Sequence, residues 1–249
     1  MRPLIAGNWK MHGLLSHLLE IDTIAASVSV KPPDADILIC PPATLIVRAA
    51  ELAAGRVAIG GQNCHCEISG EFTGDISAEM LKDAGASTVI VGHSERRQHH
   101  GETDAMVAEK AKAAWRAGLL AIICVGETQA QREAGNALTV CGAQIAASVP
   151  ENMVSPSNAV AYEPLWAIGS GHVPTASQIT EMHVHIRRCL LERLGEQGME
   201  LRILYGGSVK PDNAPAILAL PEVNGALIGG ASLKAADFLE ILGALPPGH

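Results

Sequence analysis

The segment TVIVGHSERR, residues 88–97, indicates the architecture of this chain most directly. It opens with a short apolar, β-branched run, Thr88–Gly92, which predicts a buried strand. Polar residues follow at once from His93, and Ser94–Arg97 is a candidate helical turn. A strand that passes through a polar turn into a helix is the repeating unit of parallel α/β folds.

The same unit recurs along the whole chain. Longer segments with the 3.6-residue spacing of amphipathic helices separate short apolar runs, and strict alternation of this kind implies parallel strands joined by right-handed crossovers. The candidate strands are Leu4–Ala6, Asp36–Cys40, Val57–Gly60, Thr88–Gly92, Leu119–Val125, Asn158–Tyr162, Leu201–Tyr205 and Ala226–Ile228. The candidate helices include Ala43–Ala54, Thr103–Ala117, Ala130–Ser148 and Ala176–Leu194.

Eight such units close most economically into a (β/α)8 barrel, and an open doubly wound sheet is the alternative. A chain of 249 residues fits one barrel of this class. No Pro/Gly/Ser-rich linker divides it, so we expect residues 1–249 to form a single domain. The recurrence of about 30 residues is the βα unit itself and does not indicate a solenoid repeat.

Composition narrows the classes of function. The chain is 48% hydrophobic and only 3% aromatic, which suits a sheet of small branched side chains covered on both faces and excludes disorder. The net charge of −8 argues against binding to nucleic acid or acidic membranes, while a small anionic substrate stays possible.

The expected location is the cytoplasm. No apolar run is long enough for a membrane span, and the start MRPLIAGNWKMHG lacks the features of a secretory signal. Six cysteines in a chain of this length are interpreted as reduced thiols.

Polar residues gather directly after the predicted strands. In a parallel barrel all of these positions lie on the C-terminal rim, where active sites are built. They are Asn8 and Lys10 after the first strand, His93 and Glu95 after the fourth, Glu163 after the sixth, Gly206-Gly207-Ser208 after the seventh and Gly229-Gly230 after the eighth.

Glu163 is the candidate base. It follows the apolar run Ala159–Tyr162 and precedes Pro164, so we expect it to be partly desolvated, which would raise its pKa. An isolated glutamate in this position would more often be a solvated loop acid. The rim position favours the catalytic interpretation.

His93 and Lys10 are the candidate electrostatic partners. A helix N-terminus disfavours the imidazolium form, so His93 should stay neutral and donate a hydrogen bond to a substrate oxygen. Lys10 offers a permanent positive charge near the first strand's end. Considered alone, a histidine such as His93 is more often a core or rim residue, and a lysine such as Lys10 is more often a surface residue.

Two glycine-rich turns, 206–208 and 229–230, suggest a phosphate site. Without side chains there, backbone N–H groups can approach an anion closely, and a helix over Ala231–Phe238 would point its positive end at it. Most glycine pairs serve only as turns, but two pairs at the ends of consecutive strands favour a phosphate site.

The segment PLWAIGSGHVP, residues 164–174, has an apolar middle between proline and glycine ends, which predicts a lid that closes over substrate. A loop packed statically on the barrel is the alternative.

A metal site is not expected: Cys64-His65-Cys66 lacks a matching pair at zinc spacing, and His183 and His185 point to different helix faces. No nucleotide-binding fingerprint appears.

Several collinear motifs together resemble the triosephosphate isomerase family, whose fold is the TIM barrel. They cover nearly the whole chain and are AGNWKM at 6–11, GHSERR at 92–97, AYEPLWAIGSG at 161–171, YGGSVKP at 205–211 and LIGGASLKAADF at 227–238. The lid departs from the usual pattern at Leu165 and Ser170.

The resemblance implies roles for these residues. Glu163 would shuttle a proton of a triose phosphate, with His93 as electrophile and Lys10 as electrostatic partner. It further implies that Asn8 orients the substrate and that Glu95 and Ser94 support the rim. Phosphate would be held by Gly169, Ser208, Gly229 and Gly230, and no cofactor would be required. The family is typically a homodimer, in which loop 63–75 projects into the partner.

Two rivals stay open. A sugar-phosphate epimerase or another phosphate-binding barrel enzyme would share the glycines, but it would not need Lys10, His93 and Glu163 together. A non-catalytic binding protein could keep the same barrel, because fold alone does not fix function.

Overall fold

The computed structural model describes residues 1–151, 158–168 and 173–246 of the chain. In these residues eight parallel strands form a closed barrel in chain order. The strands are β1 (Leu4–Asn8), β2 (Asp36–Cys40), β3 (Ala58–Gly61), β4 (Thr88–Val91), β5 (Leu120–Val125), β6 (Ala159–Tyr162), β7 (Arg202–Tyr205) and β8 (Gly225–Ile228). All eight predicted strands are present, with ends displaced by at most two residues.

The last strand pairs with the first, which excludes the open-sheet alternative. Leu4 of β1 lies opposite Asp36 of β2 on one side and opposite Gly225 of β8 on the other. The prediction of a (β/α)8 barrel is therefore confirmed. Because every strand is parallel, the carboxyl ends of all eight strands meet at one rim.

Strand side chains alternate between two buried layers. On β1, Leu4 and Ala6 belong to the cluster inside the barrel, whereas Ile5 packs outward under the helices. The inner cluster consists of Leu, Ile, Ala and Cys side chains, which is the small-residue core that the composition predicts. This packing makes the strands buried on both faces.

Helices cover the outside of the barrel. The α-helices are α1 (Leu18–Val30), α2 (Ile46–Ala53), α3 (Ala78–Asp83), α4 (Ser94–His100), α5 (Asp104–Arg116), α6 (Gln129–Glu133), α7 (Ala137–Ser148), α8 (Ala176–Leu194), α9 (Ala214–Leu218) and α10 (Ala235–Gly243). The hydroxyls of Thr103 and Thr175 accept N–H groups at the starts of α5 and α8, which fixes those helix ends.

Three predicted helices differ from the structure. The segment Ala130–Ser148 is two helices, since Gly135 takes a positive φ of 75° between α6 and α7. In the segment Ala231–Phe238, a short 3-10 helix (Gly230–Leu233) and an extended Lys234 precede α10. The segment Ala43–Ala54 begins as a 3-10 helix over Ala43–Leu45 before α2.

All six cysteines are free thiols. Within the three described ranges, no helix combines the length and the apolar character needed to cross a membrane.

Barrel closure depends on a glycine at the first position of β8. Gly225 has a φ of 137°, and an added Cβ would lie 1.9 Å from the carbonyl oxygen of Leu4. We expect Gly225→Ala to lower the free energy of unfolding by about 2–4 kcal/mol, because backbone strain and overpacking add. Urea denaturation measures this change.

Gly243→Ala is the matched control, because an added Cβ at the end of α10 would meet no atom within 4 Å. It should leave stability unchanged or raise it by up to about 1 kcal/mol. Equal effects of the two substitutions would contradict the role given to Gly225.

Candidate active site

A cavity of about 280 Å³ opens at the rim formed by the carboxyl ends of the strands. Polar side chains predicted from the sequence form one side of it, and the two glycine-rich turns form the other. The predicted residues that line it are Asn8, Lys10, His93, Glu163, Gly206, Gly207, Ser208, Gly229 and Gly230. Residues from five different strand ends thus converge on one cavity.

Glu163 is buried and held by three hydrogen-bond donors. The backbone N–H of Ser94 donates to Oε2 at 3.0 Å, and the Ser94 hydroxyl donates to Oε1 at 3.1 Å. The Nε2 atom of His93 lies 2.9 Å from the same Oε1. The start of α4 therefore positions the carboxylate that follows β6.

His93 precedes α4 directly, and its ring caps that helix. Its Nδ1 atom accepts the backbone N–H of Glu95 at 3.2 Å, so Nδ1 carries no proton. The proton then resides on Nε2, which donates it to Glu163. The Nε2 side of the ring thus faces Glu163, and both residues line the rim cavity.

The pKa of Glu163 corrects one sequence-based expectation. Burial of the carboxyl raises its pKa and is the largest single influence, as predicted. The contacts with His93 and Ser94 together outweigh burial, so the pKa lies below its ordinary value. The expected rise was wrong for this arrangement because the sequence does not show that three donors reach the carboxylate.

Lys10 is held in an unusual backbone conformation. Its φ of 52° is uncommon outside glycine, and its backbone N–H donates to Oδ1 of Asn8 at 3.0 Å. Its Nζ donates to Oε1 of Glu95 at 2.6 Å. Strain of this kind persists only where surrounding contacts enforce it, and it clusters at functional sites.

Gln62 enforces that conformation and was missed from the sequence. Its side-chain amide donates to the carbonyl oxygens of Lys10 at 2.9 Å and Cys40 at 2.8 Å. Its position could have identified it from the sequence, because Gln62 directly follows β3 and the other rim residues were predicted from their positions after a strand.

The glycine-rich turn at 229–230 is tied to the segment that follows β1. The Ser232 hydroxyl donates to the carbonyl oxygen of Gly229 at 2.7 Å, and the Trp9 indole donates to that of Ser232 at 2.9 Å. A Cβ at Gly229 would lie 3.6 Å from Cε of Lys10, so the turn and the lysine stem are neighbours. Lys210, which was also missed, adds a second cation to the lining.

The segment after Glu163 is anchored to a buried carboxylate. The Trp166 indole donates to Oε1 of Glu127 at 2.8 Å, and the Leu165 N–H donates to its backbone oxygen at 3.2 Å. Nε of Arg132 lies 2.6 Å from the same carboxylate. Glu127 follows β5, so the same position rule would have found it. Gly169 and Ser170 lie outside the described residues, and the lid stays a prediction.

Within the described ranges, no three His, Cys, Asp or Glu side chains are arranged to hold a metal ion. In the Cys64-His65-Cys66 sequence, the buried Cys64 thiol contacts the backbone oxygen of Lys110. The ring of His65 instead accepts the N–H of Glu67. These side chains serve separate local contacts.

A family model for triosephosphate isomerase matches residues 3–245. The chain belongs to the triosephosphate isomerase family. The triosephosphate isomerase of Afipia carboxidovorans is 60% identical over 247 residues, which cover 99% of this chain and 98% of that protein. The one from Rhodopseudomonas palustris is 56% identical over 249 residues, with 99% and 98% covered.

A solved structure supports the same assignment. The crystal structure of triosephosphate isomerase from Bartonella henselae matches with a TM-score of 0.91 at 49% identity, and the match covers 98% of this chain and 99% of that one. The resemblance to the triosephosphate isomerase family is thus confirmed over nearly the full chain. The roles of the individual site residues stay predictions.

Ser94→Ala tests the origin of the lowered pKa of Glu163. A carboxyl whose folded-state pKa is depressed stabilises the protein above its unfolded-state pKa and loses that contribution as the pH falls through the folded-state pKa. Removing the hydroxyl should therefore cost about 1.5–3 kcal/mol of unfolding free energy above about pH 5. The difference in unfolding free energy between wild type and variant should become smaller at acidic pH. Urea denaturation over a range of pH values measures it.

The control is the same substitution in a Glu163→Gln background, where no carboxyl titrates. There the cost of Ser94→Ala should not depend on pH. A pH-dependent gap that persists in this background would assign the effect to another group.

Proposed function

We propose that this chain interconverts dihydroxyacetone phosphate and D-glyceraldehyde 3-phosphate, an aldose–ketose isomerisation. Membership of the triosephosphate isomerase family supports the substrate and the reaction. The observation that carries the proposal is the contact of a buried carboxylate, Glu163, with the Nε2–H of His93 at the wall of the rim cavity. The lysine Lys10 lines the same cavity.

The proposed chemistry is a proton transfer through an enediolate. Glu163 removes the proton alpha to the substrate carbonyl and returns it to the neighbouring carbon. His93 and Lys10 stabilise the charge that develops on oxygen. The predicted role of Asn8 is to orient the substrate, which fits its contact with the Lys10 backbone.

Substrate binding would also strengthen the base. A substrate oxygen competes with Glu163 for the Nε2–H of His93, since one N–H cannot serve both fully. Once Glu163 moves away from His93 and Ser94, the contacts that lower its pKa are lost while burial, which raises it, persists. The carboxylate is then a stronger base at the moment the substrate is in place.

The glycine-rich turns would hold the phosphate. Backbone N–H groups at Ser208, Gly229 and Gly230 are the proposed donors, and Lys210 adds charge at the same wall. Gly169, a further proposed contact, lies outside the described residues. Closure of the segment 164–174 would exclude water, which would otherwise promote loss of phosphate from the enediolate.

The reaction requires no metal or organic cofactor, because the carbonyl and the phosphate are already present in the substrate. The proposed setting is glycolysis and gluconeogenesis in the cytoplasm, carried out by one barrel domain over residues 1–249. No role in nucleic-acid or membrane binding is proposed, in keeping with the net charge of −8.

We further propose a homodimer through loop 63–75. Residues 67–75 are exposed, and the apolar side chain of Phe72 near the tip is 43% exposed. Beside the loop, a cleft of about 710 Å³ reaches Lys10, His93 and Glu95. A partner's loop seated in this cleft would cover the ion pair that holds Lys10 and so support the site.

The rival readings make different demands. An epimerase would not need the lysine, the imidazole and the carboxylate together, and a binding protein would not need a buried carboxylate placed against an imidazole. The cavity contains all three groups, which favours the isomerase.

Glu163→Ala tests the function. Loss of a positioned base should lower kcat by at least roughly 10²–10⁴-fold. The measurement is a coupled assay of glyceraldehyde 3-phosphate conversion in the presence of a metal chelator. Glu240→Ala, at an exposed position of α10, is the control and should keep wild-type turnover. Near-normal turnover by Glu163→Ala would contradict the proposal that Glu163 is the base.

Phe72→Asp tests the dimer. A buried, unpaired carboxylate at the interface should shift the population to monomers, as measured by sedimentation equilibrium. Val184→Asp, at a 50% exposed site on α8, is the control and should leave the dimer intact. A wild-type monomer, or a dimer that survives Phe72→Asp, would exclude this interface.

A further inference from the structure

The loop 63–75, through which the homodimer is proposed, is acidic. It contains Glu67, Glu71 and Asp75 and no lysine or arginine. All three acidic residues are exposed, in the same stretch as the half-exposed side chain of Phe72. A second copy of the chain that receives this loop must therefore accommodate three negative charges beside the apolar tip.

The cations in the cleft beside the loop are already engaged within their own chain. The cleft is lined by Lys10 and Arg96. Nζ of Lys10 lies 2.6 Å from Glu95, and Nε of Arg96 lies 2.5 Å from Glu102. The other charged residue of the lining, Asp75, is itself an acid. With these groups alone, the cleft gives an acidic loop no electrostatic attraction.

Two histidines change this balance. His99 and His100 are exposed at the end of α4 and line the same cleft. A histidine side chain ordinarily takes up a proton between about pH 8 and pH 5, whereas glutamate and aspartate stay ionised down to about pH 5. Near pH 6 the cleft therefore gains positive charge while the loop keeps its negative charge.

Two further histidines lie in this region and serve other contacts. His93 also lines the cleft, and its Nδ1 accepts the backbone N–H of Glu95 at 3.2 Å. In the loop, Nδ1 of His65 accepts the N–H of Glu67 at 3.1 Å, and its ring lies 4.1 Å from that of Phe72 between centroids. Protonation of His65 at Nδ1 would remove this acceptor and loosen the loop, so His65 predicts a dimer that weakens in acid.

We propose that His99 and His100 are proton-dependent partners of the acidic loop of a second copy, so that the homodimer tightens as the pH falls from about 8 to about 6. This inference rests on the homodimer proposed above and adds its regulation. The loop carboxylates favour the imidazolium form, so the stabilisation is present while the histidines are protonated and is lost as the pH rises. A two-fold dimer contains each contact twice.

The test is the dissociation constant of the dimer at about pH 6 and about pH 8, measured on the full chain at low ionic strength. Fluorescence-detected sedimentation with a label at the amino terminus gives this constant, since that terminus lies at the end of the barrel away from the cleft. The constant should be at least about tenfold lower at pH 6, because four exposed ion pairs of ordinary strength add to such a factor. Added salt should reduce the difference.

A second measurement applies if the dimer does not dissociate at the lowest concentration. The rate of subunit exchange between chains that carry two different labels then replaces the constant. Exchange should be at least about tenfold slower at pH 6, since differences in affinity at one interface arise mainly from dissociation rates.

Variants assign the effect to its groups. The double variant His99→Gln, His100→Gln should remove most of the pH dependence, because glutamine is polar but does not titrate. Glu71→Gln should reduce the difference from the side of the loop. His65→Gln should keep the tightening in acid, as should His12→Gln, which changes an exposed histidine outside the lining.

The outcomes separate this inference from the proposals on which it rests. A dimer with equal constants at the two pH values, or one that weakens in acid, would overturn the inference and leave the homodimer standing. So would a pH dependence that survives the double histidine variant, or a double variant that is folded but monomeric at both pH values. A wild-type monomer at both values would overturn the homodimer and this inference together, and none of these results concerns isomerase turnover.

Discussion

Closure of the sheet is the constraint on which the rest of this structure depends. The pairing of β8 with β1, made possible by the close approach of Gly225 to Leu4, forces eight strand ends into one ring. Groups from the first, fourth and sixth strands are far apart in sequence, yet they line one cavity because of this ring. An open sheet would spread the same residues along an edge.

Within that ring, the combined contacts of Glu163 with His93 and Ser94 outweigh the effect of burial on its pKa. Glu163 is nearly inaccessible to water, but three donors from the start of α4 keep its pKa low. His93 and the carboxylate that it holds both line the cavity. The resting site thus holds the proposed base in its ionised form, and displacement of these donors would raise its basicity only when substrate is bound.

Each end of the barrel carries a cationic side chain that specific contacts hold in place. At the carboxyl end, Lys10 is held in a strained conformation by Gln62 and Asn8. At the amino end, Arg202 is buried with one N–H unsatisfied. Both positions place a cation at the mouth of an apolar barrel, where the interior excludes water and weakens competing solvation.

The sequence by itself determined the periodicity, the order of the elements and the rim positions, because hydrophobic alternation and turn residues are local properties. Eight strands and the convergence of Lys10, His93 and Glu163 followed from it. The break in Ala130–Ser148, the direction of the Glu163 pKa and the anchoring by Gln62 and Glu127 needed the tertiary structure. These features depend on which donors reach which acceptors across the barrel, and such distances are set by packing rather than by neighbours along the chain.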